Sequence, residues 1–224
     1  MTSGLSIDSL NCFKAYDIRG LVGKEIDESL AYKIGRATGE KFNANLIVLG
    51  YDARPSSPKL ASAVCEGILD SGSNVLDIGL SGTEEMYWSV TQFKADAGIV
   101  ITASHNPIEY NGMKIVKSRS QPLDKIEFDD LKTLIKLNEP VEPKHKGSVF
   151  KKKEEARNLY IEKLLSLIDI DCLRPFKILI NSGNGAAGPT VSALISELEN
   201  KGVETNFKLV HHNPDPNFPN GIPN

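Results

Sequence analysis

The chain has 224 residues, 40% of them hydrophobic and 25% charged, enough to bury a core and to build one large or two modest domains. With 26 basic against 29 acidic residues its net charge is −3, which excludes the basic signature of a nucleic-acid binder and any steering towards anionic membranes. Cys12, Cys65 and Cys172 are too widely spaced for a metal or redox pattern, no apolar run approaches a membrane span, and no signal-peptide pattern is visible, so a soluble cytoplasmic protein is expected.

Residues 13–20, Phe-Lys-Ala-Tyr-Asp-Ile-Arg-Gly, bring Lys14, Tyr16, Asp17 and Arg19 into one short segment. Alternation puts Tyr16 and Ile18 on one face and Asp17 and Arg19 on the other. Arg19 carries a planar fork suited to phosphate or carboxylate, or else it forms a surface pair with Asp17. Asp27 is placed to cap a helix from Glu28 to about Lys41, with Leu30, Ile34 and Ala37 on its apolar stripe. Leu46–Gly50 reads as a short buried strand. It leads into Tyr51–Ser57, and Ser57-Pro58 opens a helix to about Asp70, with Leu60, Val64 and Ile68 inward. Asp52, Arg54 and Ser56 thus fall in a strand-to-helix turn, where Arg54 either reaches a phosphate or braces neighbouring loops with Asp52.

Val75–Leu80 is the next strand, and Thr83 caps a helix from Glu84 whose stripe is Met86, Val90 and Phe93. Ala97–Ile101 is an apolar run of the kind buried on both faces of a sheet. It breaks into Thr102, Ser104, His105 and Asn106, and Pro107 forces a turn. A hydroxyl, an imidazole and an amide therefore gather just past a strand end, the edge at which open α/β sheets bind ligands. The plain alternative is a polar turn closed by proline. Asn111-Gly112 reads as a tight turn before a strand over Met113–Val116, which carries Lys114 back towards the serine loop. The strand–helix alternation across residues 28–116 predicts a parallel or mixed α/β sheet.

Asp124–Leu137 reads as a helix. Asn138–Lys153, with Pro140, Pro143, Gly147 and the lysines Lys144, Lys146, Lys151, Lys152 and Lys153, reads as a solvated linker. It divides the chain into residues 1–150 and 151–224. Glu154–Ile168 is expected to be a helix burying Leu159, Tyr160, Leu164, Leu167 and Ile168. Strands over Lys177–Ile180 and Val203–Val210 enclose a helix with Val191, Leu194, Ile195 and Leu198 inward. Gly183, Gly185 and Gly188 match G-x-G-x-x-G between strand and helix, which is either a dinucleotide turn or close backbone packing. No acidic residue closes the following strand, which ends in His211-His212; neighbouring strand residues point to opposite faces, so the pair is no metal motif. Asn213–Asn224 is a Pro/Asn-rich loop. Two strands and two helices are too few to bury both faces of a second sheet, so either the second unit is incomplete or a partner is expected to complete it.

Several of these stretches resemble the α-D-phosphohexomutases. They are Lys14–Gly20, Gly50–Ser57, the Thr-Ala-Ser-His-Asn-Pro run Thr102–Pro107, Asn111–Ile115, Gly183–Gly188 and Pro214–Asn220, in that family's order and across essentially the whole chain. Gly79–Tyr87 is most similar to the bacterial phosphomannomutase branch that feeds GDP-mannose synthesis. The resemblance implies a three-layer α/β domain, with a mixed sheet flanked by helices, followed by a truncated α/β domain of similar kind. It implies a phosphoserine at Ser104 that exchanges its phosphoryl group with hexose phosphates, mannose 1- and 6-phosphate first, through a hexose 1,6-bisphosphate. It further implies Mg2+ with Ser104 contacting the metal, Lys114 and Arg19 moving the hydroxyl proton and stabilising charge, and Tyr16 touching substrate. His105 and Asn106 would orient the loop, and Arg54 would meet substrate or support it. The family's Asp-Gly-Asp metal loop and C-terminal domains are absent from these residues, and Asn181 and Ser182 replace its usual acidic and cysteine-type residues. The chain alone is therefore expected to be inactive. The rival readings are a nucleotide-binding oxidoreductase using Gly183–Gly188 and a non-catalytic sugar-phosphate binding module.

Overall fold

The computed structural model describes residues 10–137, 145–204 and 206–222. Most of them build one mixed sheet between two helical layers. In chain order the elements are β1 (Ile18–Leu21), α1 (Glu28–Phe42), β2 (Leu46–Tyr51), α2 (Ser57–Asp70), β3 (Asn74–Leu80), α3 (Thr83–Gln92), β4 (Ala97–Ile101), β5 (Tyr110–Lys117), β6 (Gln121–Pro122) and α4 (Lys125–Leu137). Then follow β7 (Val149–Lys151), α5 (Lys153–Leu165), β8 (Lys177–Asn181), α6 (Ala187–Asn200) and β9 (Asn206–Val210).

The strand order is β1-β5-β4-β2-β3-β7, with the short β6 on β5. β2 runs parallel to β3 and β4, and β7 parallel to β3, while β5 is antiparallel to both β4 and β1. Successive strand residues point to opposite faces, so an all-apolar strand feeds two cores. Ile47, Leu49, Ile99 and Ile101 pack against Leu30 and Ile34 of α1 and Leu60, Val64 and Ile68 of α2. Val48, Leu76 and Val100 pack on the other side against Met86 and Val90 of α3 and Ala156 of α5. Each such fully buried side chain contributes about 2 kcal/mol. Among the described residues no helix is long and apolar enough to cross a membrane.

Most expected elements appear within a residue or two, and Asp27 caps α1 by accepting from Leu30 N at 2.8 Å. Four details differ. Asn111-Gly112 is no turn: both residues lie inside β5, opposite Gly20 and Arg19, because the chain reverses earlier, in the 102–109 loop. Tyr16 and Ile18 do not share a face. Lys14 N donates to Asp17 O, closing a turn, so Tyr16 is 92% exposed while Ile18 is fully buried at the start of β1. Thr83 is the first residue of α3, with Gly82 at the cap position. Finally, α5 buries Ala156, Arg157, Ile161 and Leu165, and Leu167 and Ile168 lie exposed beyond its end.

Residues 138–144, on which part of the expected linker falls, lie outside the described residues, as do Pro223 and Asn224. On the far side of that segment β7 pairs with β3 in the first sheet, so residue 150 lies within a strand of that sheet. β8 and β9 form a separate two-stranded parallel sheet joined by α6. Ile161 and Leu165 of α5 and Leu198 of α6 make a small third core with Phe207.

Candidate active site

The loop after β4 leaves the sheet where Thr102 N donates to Gly112 O. Thr102 Oγ1 then accepts from Ser104 N at 3.0 Å, and the Asn106 amide donates to Ala103 O at 2.7 Å. These short-range bonds turn the chain so tightly that Ser104 takes a left-handed conformation, φ +55°. For a residue with a Cβ this costs about 1–2 kcal/mol, so the surroundings must impose it. The result is an exposed Ser104 side chain, its Oγ 3.4 Å from Nδ1 of exposed His105.

What imposes the turn lies beneath it. Arg54 is 1% exposed, and its guanidinium donates to four carbonyl oxygens of the loop: Pro107 (2.7 Å) and Tyr110 (3.0 Å) from Nη1, Ser104 (2.9 Å) and Asn106 (2.6 Å) from Nη2. Its Nε faces Asp52 at 3.4 Å, so all five N–H groups of the fork are occupied. Burial pulls the guanidinium down from its ordinary value, and the Asp52 carboxylate opposes that shift. Asp52 in turn accepts from Arg54 N and, at 2.6 Å, from the Ser57 hydroxyl. The buried Asn111 amide reaches the Ser56 and Ser57 hydroxyls at 2.7 and 2.9 Å. The expectation that Arg54 meets substrate is thus corrected: it faces inward, and its donors are spent on the loop. Asn111 was overlooked because Asn-Gly is so strong a turn signal.

Arg19 and Lys114 lie on neighbouring strands. Arg19 pairs with Gly112, at the level where the loop departs, and Lys114 sits two residues further along β5 opposite Val100. Both therefore project from the α3 face, as diagonal neighbours roughly 7–8 Å apart across the strands. Arg19 is held by Asp17 at 3.1 Å, its side chain 34% exposed. It needs Gly112 beneath it, because a Cβ there would lie 1.9 Å from Ile18 O and 3.1 Å from Arg19 Cγ. Ser104, His105 and Asn106 thus share the loop after β4, Arg19 stands beside its point of departure, and Lys114 lies further into the sheet on the same face as Arg19, with Tyr16 exposed on the turn before β1. Among the described residues no three of His, Cys, Asp and Glu converge, so Mg2+ does not fit a site built from these residues alone.

The glycine turn is different in kind. Gly183 N donates to Asn181 Oδ1, Asn184 N to His211 O and Gly185 N to Ser182 O, so these amides are spent within the chain rather than presented to a pyrophosphate. Gly188 is required by close packing: a Cβ there would lie 1.9 Å from His212 O. His211 and His212 are engaged separately, His211 with Asn220 and His212 between the Ser182 and Ser192 hydroxyls.

Comparison with known proteins gives one consistent result. Residues 10–141 match the family model described as phosphoglucomutase/phosphomannomutase, alpha/beta/alpha domain I. The chain is 44% identical over 221 residues to a phosphomannomutase of Salmonella montevideo, covering 97% of this chain and 48% of that protein. It is 43% identical over 225 residues to one of Vibrio cholerae, covering 96% and 47%. A solved phosphoglucomutase/phosphomannomutase family protein from Burkholderia thailandensis superposes with a TM-score of 0.81 at 30% identity, over 96% of this chain and 46% of its own. The chain spans about half the length of the curated relatives it matches.

Proposed function

Because the chain belongs to the phosphoglucomutase/phosphomannomutase family, we propose that it is the phosphoryl-carrying part of a phosphohexomutase. The whole protein interconverts mannose 1-phosphate and mannose 6-phosphate, with glucose phosphates as further substrates. The observation that carries this is the Ser104 hydroxyl, turned outward by a left-handed loop that Arg54 braces from below. In the forward step a sugar hydroxyl attacks phosphoserine 104. The new O–P bond forms as the Ser104 Oγ–P bond breaks, giving a hexose 1,6-bisphosphate. The hydroxyl proton passes to Lys114, and Arg19 stabilises the charge spread over the transferring group. The sugar then presents its other phosphate to Ser104, and the same bonds exchange in reverse. Tyr16 contacts the sugar, while His105 and Asn106 orient the loop. A Mg2+ cofactor would take its carboxylate ligands from outside the described residues, and the protein acts in the cytoplasm. The chain alone has negligible mutase activity.

Intact-mass analysis after incubation with glucose 1,6-bisphosphate tests this. One added phosphoryl group, absent from Ser104→Ala, is expected, and a phosphoryl group on any other residue overturns the assignment. One rival is a non-catalytic sugar-phosphate binding module. Saturable sugar-phosphate binding with Ser104 unmodified would select it.

A further inference from the structure

Gly79–Tyr87 marked a branch resemblance in the sequence but takes no part in the chemistry above. In the structure its Glu85 is buried, 6% exposed, where α3, α5 and α6 meet. One carboxylate oxygen faces Arg157 Nη2 of α5 at 3.5 Å, and the other accepts from the Thr190 hydroxyl of α6. Arg157 is itself 5% exposed, and its Nη2 also donates to Leu80 O, the last residue of β3, at 2.5 Å. The Glu85 carboxylate thus ties both helices of the second unit to α3, and Arg157 ties α5 to the end of β3 in the sheet that carries Ser104.

The start of α5 is also fixed by backbone bonds, β7 pairing with β3 and Lys152 N donating to Asp77 O, but the remaining packing at the junction is non-directional. Ala156 packs into the α3-side core, and Trp88 meets Tyr160 at 5.8 Å in a tilted pair. Such contacts resist separation but permit sliding. Two buried ions are a poor way to add stability, because desolvation offsets their attraction. Burial indeed pushes the Glu85 carboxyl up, with Thr190 and Arg157 opposing. Arg157 Nε and Ser89 Oγ, one helical turn beyond Glu85, are moreover buried with no partner among the described residues. A junction selected for stability alone would not leave them so.

We infer that Glu85, Arg157 and Thr190 form a positioning clamp, which fixes the angle at which the β8–α6–β9 unit and its glycine turn sit against the Ser104 sheet. The clamp acts on geometry and does not depend on the chemistry proposed for Ser104. Its test uses the intact chain with spin labels on cysteines introduced at the exposed positions Lys59 of α2 and Lys208 of β9, the natural cysteines being replaced by serine. The labelled parent should give one narrow distance distribution. Arg157→Met alone strands the Glu85 charge, so its urea midpoint should fall and amide exchange in α6 should rise more than tenfold. The double variant Glu85→Leu, Arg157→Met should regain the parental midpoint yet give a broadened or shifted distribution. A distribution that stays narrow and unshifted in the double variant overturns the clamp, as does a double variant no more stable than Arg157→Met.

Discussion

Replacing Arg54 with lysine keeps the charge and removes the fork. The guanidinium makes four hydrogen bonds to loop carbonyls from two nitrogens held in one plane. An ammonium presents three donors from a single point and can keep about two of them. A hydrogen bond from a charged donor contributes about 1.5–3 kcal/mol. The freed carbonyls sit in a loop whose residues 104, 105 and 107 are exposed, so water replaces part of what is lost and the lower value applies to each. Two lost bonds give a destabilisation of about 3 kcal/mol, or a fall in Tm of about 6–12 °C for a chain of this size. Urea denaturation measures the first number. Amide exchange at Asn106 and Tyr110, which donate to Ala103 O and Pro107 O, locates the damage. A loss under about 1 kcal/mol with unchanged exchange at those amides would show that the loop holds its own shape and that Arg54 is not its brace.

Three further outcomes are expected. Gly112→Ala drives a Cβ into the Ile18 carbonyl, which cannot move without unpairing β1 from β5, so a loss of about 3 kcal/mol is expected in urea denaturation; a variant within about 0.5 kcal/mol of the parent refutes the close approach. Burial pushes the Cys12 thiol up to about 11. Since the folded value exceeds the unfolded one, its contribution to stability is complete below the ordinary thiol range and is lost as pH rises through about 11. At pH 8 alkylation followed by mass spectrometry should mark exposed Cys172 first, then half-buried Cys65, with Cys12 protected until unfolding; equal rates at Cys12 and Cys172 would contradict its burial.

The sheet was legible because its signals are local. Ala97–Ile101 is apolar enough to be buried on both faces, and Asp27 sits three residues before the amide it caps. Asn111 was misread because a dipeptide preference gave way to bonds with hydroxyls 54 and 55 positions away. The stripe of α5 failed for another reason. The helix is covered on one side by β3 and α3 and on another by α6, so it has no single apolar face for periodicity to find, and the buried Arg157 counts as polar in any such reading. Arg54 was placed in the right turn, but its direction depends on carbonyls more than fifty residues on, which no local pattern encodes.

The last strand of the sheet also bears on where the protein can be cut. Matching to the family model ends at residue 141, yet β7, at Val149–Lys151, is what covers the outer side of β3. A piece trimmed at 141 would uncover the backbone donors and acceptors of β3 beside Val75 and Leu76, a template for pairing with a second copy. Its first symptom would be aggregation, with the serine loop, which joins β4 to β5 and is separated from β3 by β2, still intact.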